Sequence, residues 1–454
     1  MGYRASYVLI LATALATGCI DSDDNVDDAT APPPGVDLVI EDDGQGGLVE
    51  FVTPAERMIM FHAPIIPSSS GALVLATLAD PWERHDNNPT GCTGADGVDW
   101  FDIDEDGDLD FVVPCEQSSK TFVFLQPADP WNDPWTTYSF TTAGAEDAKF
   151  GDFDNDGCTD IAASGENKDV FLIFVPCTNG APNVAGTWTK VTVTSAHNVE
   201  LWMQLVVFQQ NGKTVFAAGG RRASLPAAGI YLFTASSNYR SAGSWAKTLV
   251  STTGYTMSLL AVDADADGDQ DLVTSDRDYL FGAGGTHDFS KVGTRWIEFV
   301  TGTTPTYTDH MISHPAHGEP KMMCLDGDDI VDGSSNTTGP WNLANIQVNP
   351  GSWSNWSEAA IALPTATGLY HAPAVTLWDQ SKLYAFSYSD ATGALSGVAG
   401  LVHDGNGGWD RVEISGEPGT KYDNLAFVTL NGGINVLVTT EQVDQLGLVF
   451  YVVP

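Results

Sequence analysis

Basic residues are scarce in this chain. Its 454 residues include 19 Lys and Arg against 59 Asp and Glu, a formal net charge of −40 at pH 7. The phosphates of DNA and RNA would be repelled by such a protein, so the composition argues against nucleic acid as a partner.

The sequence also lacks the motifs of several common enzymes. It contains no G-x-S-x-G nucleophile elbow, no H-E-x-x-H zinc motif and no glycine-rich phosphate loop. No long helical period is visible after the N-terminus, whereas 46 Gly and 24 Pro suit many short strands and turns. These absences favour an all-β protein without a recognisable catalytic centre.

Carboxylates, in contrast, crowd into three short stretches. "DIDEDGDLD" starts at Asp102, "DFDNDGCTD" at Asp152 and "DADADGDQD" at Asp263, and each fits D-x-D-x-D-G-x-x-D. Such close carboxylates repel each other unless a cation lies among them, and oxygen ligands select a hard one such as Ca²⁺. The alternative interpretation is a solvated acidic turn.

A calcium loop of this pattern uses carboxylates at positions 1, 3, 5 and 9 and a backbone carbonyl at position 7, with Gly at position 6 for the turn. An EF-hand would add Glu at position 12 and continue as a helix, but "FVVP", "IAAS" and "LVTS" follow here and predict strands. The predicted metal-site residues are Asp102, Asp104, Asp106, Asp108, Asp110, Asp152, Asp154, Asp156, Cys158, Asp160, Asp263, Asp265, Asp267, Asp269 and Asp271.

The spacing of the loops predicts the architecture. The second loop starts 50 residues after the first and the third starts 111 residues later, close to two further units. Repeats of about 50 residues built from short strands indicate propeller blades. Further landmarks are a Trp that opens an alternating segment and an apolar strand that closes each unit; the Trp residues are Trp82, Trp135, Trp188, Trp245, Trp353 and Trp409.

These landmarks predict seven units. One Trp is missing, and its segment is expected at residues 305–312. The fifth unit, "MMCLDGDDIVDG", keeps Asp326, Asp328, Asp329 and Asp332 but lacks Gly at the turn, so a fourth metal site there stays open.

The loops, the Trp-led strands and the closing "NP" or "VP" segments resemble the FG-GAP/VCBS repeats of bacterial surface proteins, which are related to the integrin alpha-subunit propeller. The resemblance covers residues 80–454. It implies a seven-bladed β-propeller stiffened by about three Ca²⁺ ions, with calcium loops between the first two strands of several blades, and it implies no particular ligand.

In that arrangement the Trp-led segment is the outer strand of the preceding blade. The chain then ends with three strands of its seventh blade. We expect residues 80–86, "DPWERHD", to supply the missing strand by pairing with Phe450 to Val453, which would remove an exposed edge.

The N-terminus predicts where the protein works. Residues 1–18 have one Arg and a short apolar run, as in a secretory signal, and "ATGC" resembles the bacterial lipobox, which makes Cys19 the lipidated residue. Ordinary signal-peptide cleavage is the alternative. Residues 19–43 are acidic and Pro-rich, as in a disordered tether, and residues 44–79 form a strand-rich extension. These features predict an outer-membrane lipoprotein of a Gram-negative bacterium, exposed to the periplasm or the surface.

The other cysteines suit an oxidising compartment. If "ENKD" turns a hairpin, Cys158 and Cys177 lie opposite each other and form a cross-strand disulfide. Cys92 and Cys115 bracket the first loop and form a second predicted pair. Cys324 is left as a buried small hydrophobic residue.

The sequence therefore predicts a binding, adhesion or scaffold module with a protein or glycan ligand, held to the membrane only by its lipid. The alternative is a propeller enzyme, a lyase or dehydrogenase, acting on polysaccharide or sugar. Its candidate residues would be His197, His317 and His371, which precede innermost strands. His310 and His314 lie near His317 in sequence, but His310 is expected in an outer strand, so the three would not converge as helix-borne ligands do. A purely structural envelope protein is the third possibility.

Overall fold

The computed structural model describes many short stretches of the chain. They are residues 40–42, 48–50, 81–87, 91–221, 228–253, 255–263, 267–277, 293–300, 306–313, 319–326, 329–335, 342–349, 352–361, 369–371, 375–378, 383–390, 396–403, 409–415, 422–441 and 447–454. All regular structure in these stretches is β-strand. No helix long and apolar enough to cross a membrane occurs in them.

The first three strands and the first two large sheets come from the N-terminal half. β1 (Ile40–Asp42) pairs with β2 (Leu48–Glu50), and β3 (Glu83–Asn87) joins the last sheet. Sheet I contains β4 (Asp99–Phe101), β5 (Asp110–Cys115), β6 (Lys120–Leu125) and β7 (Thr136–Thr141). Sheet II contains β8 (Ala145–Gly151), β9 (Asp160–Gly165), β10 (Asp169–Phe174) and, after the hairpin of β11 (Cys177–Thr178) and β12 (Ala181–Pro182), β13 (Thr189–Thr192).

Three further sheets follow the same plan. Sheet III contains β14 (Leu201–Gln210), β15 (Lys213–Arg221), β16 (Ala228–Ala235) and β17 (Trp245–Thr253). Sheet IV contains β18 (Tyr255–Val262), β19 (Asp271–Arg277), β20 (Gly293–Val300) and β21 (Thr306–Ser313). Sheet V contains β22 (Glu319–Asp326), β23 (Asp329–Ser335), β24 (Asn342–Asn349) and β25 (Ser352–Ile361).

The last two sheets differ slightly from this plan. In sheet VI, β26 (Leu369–His371) and β27 (Val375–Trp378) both pair with β28 (Leu383–Asp390), which is followed by β29 (Ser396–His403) and β30 (Trp409–Glu413). Sheet VII contains β31 (Tyr422–Leu430), β32 (Ile434–Glu441) and β33 (Leu448–Val452), and β3 is its fourth strand.

All large sheets are antiparallel, sheets I to V are meanders of successive strands, and the sheets succeed one another face to face. The first strand of each sheet from I to VI packs near the first strand of the next, and sheets VII and I share an apolar core. The described chain is thus an all-β, propeller-like assembly of antiparallel sheets. Such packing buries both faces of a sheet, which leaves few polar positions in its middle strands.

The sequence of each strand agrees with its place in the sheet. β5, "DFVVPC", is buried at every residue because neighbouring sheets cover both of its faces. β7, "TTYSFT", alternates between half-buried and exposed residues because it lies at the outer edge. The predicted outer-strand position of the Trp-led segments is confirmed in six sheets, and β21 takes that position without a Trp.

The first and last strands of the described sheets pair with each other. β3 pairs antiparallel with β33, so that Arg84 lies opposite Tyr451 and His85 opposite Phe450. The predicted pairing is therefore confirmed, although the ladder runs over residues 448–452 and not over 450–453. Because β3 comes from the N-terminal side of sheet I, this pairing links the two ends of the assembly and covers the edge of β33.

Candidate metal centre

Three acidic loops connect the first and second strands of their sheets. We call them loop 1 (residues 102–110, sheet I), loop 2 (residues 152–160, sheet II) and loop 4 (residues 263–271, sheet IV). Residues 264–266 of loop 4 lie outside the described residues.

The aspartate at position 1 organises each loop around its own carboxylate. In loop 1, the Asp102 Oδ1 accepts the amide of Asp106 at 3.0 Å and its Oδ2 accepts the amide of Gly107 at 3.0 Å. Asp152 and Asp263 make the same two bonds at 3.0 to 3.2 Å. The three loops therefore share this pair of bonds, as their common motif predicts.

The glycine at position 6 is required by the backbone. Gly107, Gly157 and Gly268 have φ angles of 101°, 91° and 94°, in the left-handed region that side chains disfavour. Position 4 is also left-handed, with φ of 59° at Glu105 and 58° at Asn155. This turn folds the carboxylates of one loop toward a common centre.

The aspartate at position 9 connects the loop to the third strand of its sheet. The Asp110 side chain is buried; its Oδ2 accepts the amide of Ile103 at 3.0 Å and its Oδ1 that of Gln126 at 2.9 Å. Asp160 repeats this pattern with the amides of Phe153 and Val175. Asp271 accepts the amide of Phe299 at 2.7 Å.

Carboxylate oxygens from positions 1, 3 and 9 converge. One oxygen each from Asp102, Asp104 and Asp110 lies within 4.8 Å of the others, and loop 2 repeats this with Asp152, Asp154 and Asp160. The Oδ1 atoms of Asp104 and Asp154 are buried without a hydrogen-bond partner in the protein. An unpaired buried carboxylate oxygen is unfavourable, and oxygen-only donors match Ca²⁺, so the residues present fit this ion.

The side chains at positions 5 and 7 make hydrogen bonds around the turn, whereas those at positions 1, 3 and 9 bring their oxygens together. Asp106 Oδ1 accepts the amide of Asp108 at 3.2 Å, and Asp108 Oδ2 accepts a bond from Asn431 Nδ2 of sheet VII at 3.3 Å. Asp156 and Asp267 make the equivalent bond to position 7. The structure thus places these side chains beside the converging oxygens and uses them to support the turn.

The electrostatics of these carboxylates favour a cation. Burial raises the pKa of Asp110 to about 8, and the nearby Asp104 and Asp108 charges add to the effect. Burial likewise raises the pKa of Asp152 to about 6, with Asp154 and Asp156 adding to it. A bound divalent cation would remove this penalty on the ionised forms.

In sheet IV the structure describes part of loop 4, whereas sheet V has a shorter connection at the equivalent position. In loop 4, Asp263 and Asp271 make their frame bonds, whereas Asp265 lies outside the described residues. In sheet V, Asp326 pairs with Asp329 and Asp332 pairs with Met323. The strands β22 and β23 are therefore only two residues apart in sequence, too few for a nine-residue loop, and these two residues, which include Asp328, lie outside the described part.

Both predicted disulfides are present, Cys92–Cys115 and Cys158–Cys177. The predicted cross-strand register for the second pair is wrong, because Asp169 lies opposite Gly165 and both cysteines lie beyond the paired strand ends. The cause is a three-residue turn in which Lys168 adopts φ of 71°. Cys158 sits at position 7 of loop 2, where its oxidised sulfur leaves only the backbone carbonyl as a metal ligand.

The remaining predicted positions fall in different parts of the chain. Cys324 belongs to β22, and Cys19, the signal peptide and most of the tether and extension lie outside the described residues. The predicted position of His310 in an outer strand is confirmed: it lies in β21 and contacts Glu298 Oε2 at 2.7 Å. His197 pairs with Asp169 at 2.6 Å in another sheet, and His317 is outside the described part.

Two features of the acidic regions were not predicted from the sequence. Arg240, between β16 and β17, pairs with Asp154 and Asp156 of loop 2, and nothing local in the sequence signals a contact over more than 80 residues. A second acidic group forms at the opposite strand ends and consists of Glu116, Glu146 and Glu166. Burial raises the pKa of Glu146 well above its usual value, and Glu166 pairs with Arg221.

Comparison with known proteins agrees with the loop geometry. Residues 102–163, which span loops 1 and 2, match the model of the FG-GAP-like repeat family. This is the family that the loop motif and spacing resemble. A search of curated proteins finds no relative of the chain.

Solved β-propeller structures are similar to the chain over most of its length. Sqt1 of Saccharomyces cerevisiae aligns at 10% identity over 83% of this chain and 100% of its own, with a TM-score of 0.48. The N-terminal domain of Nup159 aligns at 10% identity over 83% and 97%, with a TM-score of 0.43. A chain of the Chaetomium thermophilum Polycomb Repressive Complex 2 aligns at 9% identity over 82% and 98%, with a TM-score of 0.48.

Proposed function

We propose that this chain is a seven-bladed β-propeller that binds Ca²⁺ in loops 1, 2 and 4 and acts as a binding or scaffold module. Sheets I to VII would be the blades, and the pairing of β3 with β33 would close the ring. The ions would be structural: each offsets the repulsion among carboxylates and stiffens the link between two strands.

One observation carries this proposal. In loops 1 and 2 the oxygens of positions 1, 3 and 9 converge within 4.8 Å, and the position 3 carboxylate in each has a buried Oδ1 without a partner. A solvated acidic turn would leave that oxygen in water. In loop 1 the ligands would be Asp102, Asp104 and Asp110, with a carbonyl at position 7.

Calcium titration tests this proposal. We expect the calcium-free protein to bind about three Ca²⁺ ions by isothermal titration calorimetry and to melt at a higher temperature when they are bound. The matched control is Glu105→Gln, because position 4 is left-handed and exposed and offers no converging oxygen. A protein that binds no calcium would refute the proposal, and the acidic-turn interpretation would replace it.

The ligand of the module is proposed to be a protein or a glycan at the cell surface. The support is the propeller-like stack of sheets, in which described loops such as loops 1 and 2 lie at strand ends, and loops on a rigid scaffold commonly carry recognition. Protein and glycan arrays screened with and without calcium identify the ligand class. Turnover of a saturable sugar ligand would favour the enzyme alternative.

The membrane attachment is a further part of the proposal. Lipid on Cys19 would hold the acidic domain at an outer membrane, with residues 19–43 as a spacer. The support is the N-terminal sequence alone. An acidic domain is repelled by an anionic surface, so the lipid on this single residue would decide its location.

A further inference from the structure

Arg240 reaches from sheet III into loop 2 of sheet II. Its Nη2 lies 2.8 Å from Asp156 Oδ2, and its Nε donates to Asp154 Oδ2. The guanidinium also lies over the ring of Phe174, 5.2 Å from its centroid. The Arg240 guanidinium therefore places a positive charge against positions 3 and 5 of loop 2, and this group stays protonated at every physiological pH.

Loop 1 has the same carboxylate frame without this cation. In the part of the chain that the structure describes, no Lys or Arg forms an ion pair with Asp104 or Asp106, the equivalents of the two Arg240 partners. The side chain that loop 1 receives from another sheet is the neutral Asn431, at position 7. The two loops thus differ in charge while sharing their geometry.

Arg240 leaves one oxygen of the Asp154 carboxylate without a hydrogen-bond partner. It uses the Oδ2 atoms of its two partners, whereas Asp154 Oδ1 remains buried and unpartnered. Asp154 also supplies an oxygen within 4.8 Å of those of Asp152 and Asp160. A metal ion at these oxygens and the guanidinium would therefore share the Asp154 carboxylate and repel each other.

Loop 2 also has a support that does not depend on a metal. The disulfide of Cys158 with Cys177 ties position 7 to the β11–β12 hairpin. Together with Arg240, this disulfide holds the loop from two neighbouring elements.

We propose that Arg240 is a built-in counter-cation that lowers the calcium affinity of loop 2 below that of loop 1 and keeps loop 2 folded without metal. This inference rests on the proposed calcium function. Loop 1 would then fill at lower calcium concentration, and loop 2 would act as a weaker site that fills only where calcium is abundant.

The test isolates loop 2 in the full chain. The double replacement Asp104→Asn and Asp265→Asn is designed to remove calcium binding by loops 1 and 4. Arg240→Gln or Arg240→Lys is then added to this double variant. We expect Arg240→Gln to raise the calcium affinity of loop 2 at least about tenfold, because one like charge leaves the ligand sphere. Arg240→Lys keeps the charge and should leave the affinity within about threefold of the parent.

Stability gives a second readout that does not depend on affinity. Calcium-free Arg240→Gln should melt below its parent, and saturating calcium should restore most of the difference. If this variant does not fold without metal, it is purified in calcium and titrated with a chelator of known affinity. Unchanged or weaker calcium binding in Arg240→Gln overturns the inference.

A complementary protein separates this outcome from failure of the calcium function. It carries Asp154→Asn and Asp265→Asn and retains loop 1 alone. If loop 1 binds calcium but Arg240→Gln does not change the calcium affinity of loop 2, only the proposed role of Arg240 is refuted. Absence of binding in both single-loop proteins refutes the calcium function and the inference with it.

Discussion

The contact between the two ends of the assembly depends on Trp82. The Trp82 side chain is 3% exposed and packs in a core with Tyr451, Val449 and Leu437, and its amide donates to the Ile414 carbonyl at 3.1 Å. It precedes β3 directly, so it anchors the strand that covers β33.

Replacing Trp82 by Ala should therefore destabilise the whole domain. Truncation of a buried Trp leaves a cavity and removes about 3–5 kcal/mol of stability. The variant keeps the backbone hydrogen bond to Ile414. The loss of stability therefore measures the side-chain packing of Trp82 where β3 joins β33. In urea this loss should move the unfolding midpoint by about 1 M for a domain of this size.

The assay is equilibrium unfolding in urea followed by tryptophan fluorescence and by far-ultraviolet circular dichroism. Glu83→Ala is the matched control, because Glu83 is the next residue, its side chain is exposed and its Oε1 lies 3.1 Å from His85 Nε2; it should shift stability by less than about 0.5 kcal/mol. Deletion of residues 20–35 should also leave melting unaltered, whereas deletion of everything up to Arg84 should destabilise the whole domain. If Trp82→Ala unfolds at the same urea concentration as the parent, the closure does not hold the domain together.

Three further outcomes follow from the loops and the N-terminus. Removal of calcium should lower the melting temperature by several degrees or more, and the triple replacement of Asp104, Asp154 and Asp265 by Ala should abolish most of that dependence, as measured by scanning calorimetry. Without metal, the raised pKa of Asp110, about 8, means that the folded state keeps a proton that the unfolded chain loses near pH 4; the free energy of unfolding should therefore fall as pH rises from 4 to 8, and saturating calcium should suppress this fall. Cys19→Ser should move the protein from the membrane pellet to the soluble periplasmic or culture fraction on immunoblots.

Each of these outcomes can be contradicted directly. A melting temperature that a chelator leaves unchanged would argue against structural metal sites. Stability of the metal-free protein that rises between pH 4 and 8 would mean that the loop carboxylates are stabilised by something other than a cation. Unchanged sedimentation of Cys19→Ser with membranes would count against lipidation.

Much of the architecture was predictable because it is local. Each loop frame is built within nine residues: Asp102 accepts the amides of Asp106 and Gly107, and the same pattern recurs at Asp152. Sheets I to V are meanders of successive strands, so the repeat spacing and the apolar runs were enough to predict their strands and their order. The pairing of β3 with β33 could be predicted because a chain with one strand left over and one strand missing has a single consistent solution.

The sequence could not predict side-chain contacts between different sheets. The contact of Arg240 with loop 2 and that of Asn431 with Asp108 join residues more than 80 and more than 300 positions apart, and they require the packing of neighbouring sheets. The register of β9 and β10 was missed by one residue because the turn between them has three residues, with Lys168 left-handed, where a two-residue turn was expected. The sequence by itself thus determined the repeat, the acidic loops and the closing strand, which rest on short-range geometry and strand counting. The tertiary structure decided which loop receives a protein cation and which carboxylate oxygens remain buried without a partner, because these depend on how rigid sheets meet in space.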